Sequence, residues 1–117
     1  MPTPTLSKFR LHLSEGSLAF ACEPETAQAL DTALTHLLTS FKVAAANNTQ
    51  ANGTLPPLEF RHQGAVFLEV FCNPNIWPNP FAARVLVTIK DDNFHLSTET
   101  ELAQLRDDLS SYLEQMS

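Results

Sequence analysis

Glycine is scarce in this chain: 117 residues contain only Gly16, Gly53 and Gly64. They lie far apart, so no glycine-rich loop opens a helix, and both phosphate-cradling nucleotide fingerprints are missing. Cysteine is scarcer still, with Cys22 and Cys72 alone. Both sit in apolar runs that read as strands. A domain of this length holds together without a disulfide, so the pair reads as two buried free thiols, with a bridge open to them only if their strands are neighbours. The histidines, His12, His36, His62 and His95, show no H-x-x-x-H or H-E-x-x-H spacing and no C-x-x-C accompanies them, so neither a metal nor a cofactor is expected. No apolar run approaches the ~20 residues that span a bilayer. The opening Met1-Pro2-Thr3-Pro4-Thr5 has neither a basic n-region nor an apolar h-region. The expectation is a cytoplasmic protein without membrane insertion.

Basic residues are few: seven against thirteen acids, for a net charge of −6. The imbalance is local. Residues 1–90 hold six acids and six bases, whereas residues 91–117 hold seven acids and one base, Arg106. Nucleic-acid binding rests on cationic charge facing phosphate, so that partner class is excluded. No G-x-S-x-G elbow is present, both cysteines fall on faces assigned to the core, and no catalytic residue is nominated. Asp91-Asp92 reads as a turn and Asp107-Asp108 as part of a solvated helix face. A site assembled from scattered residues would leave no such motif.

What the chain does have is pattern. Its apolar fraction is 44% and its charged fraction 17%, the reverse of a disordered chain. Phe9, Leu11 and Leu13 alternate with Lys8, Arg10 and His12, and Leu18, Phe20 and Cys22 continue the alternation beyond a turn at Ser14–Ser17, which predicts a β-hairpin. Pro24 suits a first helical turn. Leu30, Leu34, Leu37 and Phe41 then recur at helical spacing, predicting a helix from about Pro24 to Ala46. Asn47–Pro57 reads as a loop. Strands follow at Leu58–Gln63, Ala65–Cys72 and Arg84–Lys90, with room for a short extra one at Phe94–Leu96. Thr98 and Glu101 match a capping box that would open a last helix carrying Leu102, Leu105, Leu109, Tyr112, Leu113 and Met116. The fold class is therefore α+β: a two-layer, mainly antiparallel sheet with two amphipathic helices on one face, in the order β-β-α-β-β-β-α, all in one domain over residues 1–117 with a flexible arm at 1–7.

Two features point to binding. The strand Ala65–Cys72 is apolar on both faces. If Val66, Leu68, Val70 and Cys72 face the core, Phe67 and Phe71 face outward, joined by Leu86 from the next strand, and exposed aromatics side by side call for a cover. The second feature is the proline-stiffened loop Asn73–Phe81, which holds Ile76, Trp77 and Phe81. Trp77 and Phe81 either fold back over Phe67 and Phe71 or face a partner. Phe67, Phe71, Leu86, Ile76, Trp77 and Phe81, with Arg10 and Arg61, are the candidate partner-binding residues. The reading is a non-catalytic protein-binding accessory or regulatory module, with self-association as a variant. The alternative is a small-molecule-binding protein or an enzyme of unrecognised type. Its pocket would lie between sheet and helices or beneath the Pro/Trp loop, with Arg10, Arg61, His12 and His62 as the polar groups.

Overall fold

The computed structural model describes residues 8–47 and 55–116. The arm expected at 1–7 and most of the loop before the third strand lie outside them. The described residues form six strands and two long helices. They are β1 (Lys8–Leu13), β2 (Gly16–Ala21), α1 (Pro24–Asn47), β3 (Leu58–Gln63), β4 (Phe67–Cys72), β5 (Arg84–Lys90), β6 (His95–Glu101) and α2 (Leu102–Met116), with a single 3-10 turn at Pro74–Ile76. The α+β class holds, and every strand pairing is antiparallel.

The strands form two sheets. β3-β4-β5-β6 make a meander, while β1 and β2 pair only with each other. The hairpin packs its apolar face, Phe9, Leu11 and Phe20, into the common core. There these side chains share one small internal gap with Leu68, Val70 and Val87 of the meander and Leu105 of α2. The Phe9 ring meets Tyr112 of α2 edge-on at 5.7 Å between centroids. The hairpin thus joins the helices in covering one face of the meander.

The first helix follows its spacing: Ala27, Leu30, Leu34, Leu37 and Phe41 are all buried. Its outer face is polar and carries few charges. Thr35, Thr39 and Ser40 each donate a hydroxyl hydrogen bond to the carbonyl four residues earlier, satisfying themselves without charge. In the meander, Leu68, Val70 and Cys72 are buried together with Val85, Val87 and Ile89. That decides the orientation of β4: the Val/Leu face is inside and Phe67 and Phe71 are outside. Cys22 and Cys72 are both buried free thiols.

Three local expectations are corrected. The capping box is absent, because Thr98 lies inside β6 and α2 starts at Leu102. The extra strand, expected to be short, runs seven residues and pairs along all of β5, from Lys90↔His95 to Arg84↔Glu101. Strand β5 has one edge on β4, and its other edge carries backbone donors and acceptors that a full-length partner satisfies. The chain passes straight from β6 into α2, whose Leu102 N–H donates to the Ala83 carbonyl at 3.0 Å. The turn glycine is also displaced: Gly16 is the first residue of β2, paired with Leu13.

Candidate functional site

The outer face of the meander is a grid set by strand register. Across it run Gln63, Phe67, Lys90 and His95; then Arg61, Glu69, Thr88 and Ser97; then Glu59, Phe71, Leu86 and Glu99. Most of the grid is polar and paired within itself. Arg61 Nε donates to the Glu69 carboxylate directly opposite. Arg84 Nε donates to Glu99 Oε1 at 2.8 Å. The Thr88 and Ser97 hydroxyls share a hydrogen bond of 3.1 Å. The Lys90 ammonium lies over the Phe67 ring, 4.9 Å from its centroid, in cation–π geometry. Arg61 is held above its ordinary pKa by the Glu69 carboxylate. An open antiparallel face of this kind is stable in water.

Phe71 and Leu86 are the exception. They are direct cross-strand partners, both exposed, at 37% and 44%, and they lie at the end of the sheet from which the β4–β5 loop departs. That loop exposes Ile76 at 66% and Phe81 at 84%. Asn75 anchors it, with its side chain accepting from Leu55 N–H and donating to the Leu55 carbonyl. Pro74 is fully buried and Trp77 packs half-buried against the core.

The proposed binding residues therefore separate into groups. Phe71 and Leu86 touch at the loop end of the open face, while Phe67 sits at the far end of β4 beneath Lys90. Trp77 folds inward. Phe81 does not lie over Phe67 and Phe71. It faces the helices, lining a cleft with Leu38 and Lys42 of α1 and Leu102, Ala103, Arg106 and Asp107 of α2. Arg10 belongs to the separate hairpin, where it donates to the Ser17 hydroxyl at 2.8 Å. Neither arginine nor either histidine nominated for a pocket lines this cleft.

Asp108 is not solvated. Its side chain is buried and accepts from the His12 backbone N–H at 2.8 Å, bonds the His12 ring at Nδ1 at 2.8 Å, and accepts from Gln104 Nε2 at 3.0 Å. The signal in the sequence is positional: three residues after Leu105 and four before Tyr112, Asp108 stands on the flank of the apolar stripe. Tyr112 adds a second tie, its hydroxyl donating to the Cys22 carbonyl at 2.5 Å. His62 Nε2 is 3.0 Å from the buried Thr26 hydroxyl and 3.9 Å from Glu23. A carboxylate on Nδ1 orients an imidazole as in a general base, but among the described residues no hydroxyl or thiol is hydrogen-bonded to Nε2 of His12. Both cysteines are held protonated at neutral pH, since burial pushes each thiol up to about 11. Among the described residues no group of three or more His, Cys, Asp or Glu side chains could hold a metal ion, and no helix is long and apolar enough to cross a membrane.

Searches against protein-family models, curated proteins and solved structures find no match. The character of the site lies in its geometry. Its polar clusters tie elements together, and its unspent apolar surface gathers where the β4–β5 loop leaves the sheet.

Proposed function

We propose that the protein is a non-catalytic binding module that docks another protein through the loop end of its open sheet face. The supporting observation is the placement of exposed large apolar side chains. Phe71 and Leu86 meet across two strands, and Ile76 is exposed in the 3-10 turn just beyond β4. The surrounding grid is already paired and offers a polar rim around that apolar centre, the usual anatomy of a docking patch. Phe67 contributes less than its neighbour because Lys90 covers its ring.

The test uses Phe71→Asp and Leu86→Asp. Both positions are exposed, so both variants should keep the wild-type circular dichroism spectrum, with unfolding free energy lowered by about 1–2 kcal/mol because each aspartate faces a glutamate across the strand pair. A photo-cross-linking residue placed at position 76 should capture a defined protein, or a second copy of the chain. Either capture should disappear in both variants. Equal capture by folded wild type and folded variants would overturn the reading.

A small-molecule reading is favoured by one observation, the cleft beside Phe81.

A further inference from the structure

The cleft between α1, α2 and Pro80–Phe81 has a volume of about 250 Å3. That is just below the ~300 Å3 at which ordinary ligand pockets begin, so it suits a group smaller than a nucleotide or coenzyme. Leu38, Phe81 and Leu102 give it apolar walls, and Lys42 and Arg106 bring two cations against one acid, Asp107. Neither cation takes part in an ion pair among the described residues. Arg106 is also the one base in the acidic C-terminal segment. Its Nε is the single buried side-chain nitrogen or oxygen without a hydrogen-bond partner among the described residues. A desolvated donor on a charged group is costly to leave unpaired. Arg106 lines the cleft, and a carboxylate suits its guanidinium because two oxygens fit the planar fork.

We infer that this cleft is a binding site for a carboxylate carrying a compact apolar group, with the carboxylate on Arg106 and Lys42 and the apolar group against Leu38, Phe81 and Leu102. The inference goes beyond docking at Phe71 and Leu86 and does not depend on it. A free organic acid and the C-terminal residue of a peptide both present this chemistry.

The experiment is an NMR titration of the whole chain with phenylpropionate and with an acetylated tripeptide ending in phenylalanine, each against its neutral carboxamide. Binding should shift the backbone amides of Lys42, Phe81, Ala103 and Arg106. Each acid should bind at least about tenfold more tightly than its carboxamide, and Arg106→Gln should weaken the acids by about tenfold. Asp107→Asn, at an exposed position, should tighten them by about threefold. Tighter binding of the free acid assigns the site to a small molecule, and tighter binding of the tripeptide assigns it to a chain terminus; either supports the carboxylate site. Carboxamides that match the acids, shifts confined to other residues, or an Arg106→Gln protein that is folded and titrates like wild type would overturn it. Phe71→Asp should titrate like wild type, which keeps this result separate from the docking test.

Discussion

Asp108 shows how one side chain can differ from its sequence neighbour in role. Asp107 lines an open cleft, while Asp108 is buried and ties the hairpin to α2 through two hydrogen bonds to His12, with a third from Gln104 of its own helix. Removing its carboxylate would leave the His12 N–H without an acceptor in a partly buried setting. Asp108→Ala should therefore cost about 2–3 kcal/mol, read as a lower urea midpoint. Two aromatics of the same loop make a second contrast. Trp77 packs against the core and Phe81 is 84% exposed. Trp77→Ala should lower stability by about 2 kcal/mol, while Phe81→Ala should stay within about 0.5 kcal/mol of wild type. Hydrophobicity alone could not separate these residues. Both are large, apolar and next to proline, and only the loop's path decides which turns inward.

The elements were mostly legible. Alternation at Phe9, Leu11, Phe20, Val85 and Val87 and the helical spacing of Leu30, Leu34, Leu37 and Phe41 match the observed strands and helix, because burial on one side imposes those periods on any sequence. The junction of β6 and α2 departs from its sequence pattern. Thr98 and Glu101 carry the chemistry of a capping box, but a cap needs a helix beginning beside it, and tertiary pairing with β5 keeps the chain extended to Glu101. This difference can be measured. Loss of a true N-cap hydroxyl costs about 1 kcal/mol. In β6, Thr98 is half-buried with its side chain on the core side of the strand, where a β-branched apolar residue fits. Thr98→Val should leave thermal stability unchanged or slightly raised.

At the scale of the whole molecule, the two thiols report on the integrity of the core. Burial raises both from the ordinary 9.0 to about 11. Between those values the unfolded chain has released protons that the folded chain still holds. Their contribution to stability is therefore complete below about pH 9 and is lost as pH rises toward 11. Urea unfolding measured from pH 8 to pH 11 should show stability falling more steeply in wild type than in a Cys22→Ala/Cys72→Ala variant, with the pH series as the check. The same burial should make both thiols react with alkylating reagents at neutral pH only as fast as the protein opens.

By itself the sequence determined the α+β class, the element order up to the last strand, the apolar faces of α1 and β5, and the concentration of negative charge after residue 90. These follow from periodicity and composition, which are local. The tertiary structure alone decided that the hairpin forms its own sheet, that Asp108 is buried, that Phe71 meets Leu86 while Phe81 turns to the helices, and that Lys42 and Arg106 share a cleft. Each of those outcomes brings together residues distant along the chain. Such contacts are fixed by how packed elements cross and not by any pattern within one of them.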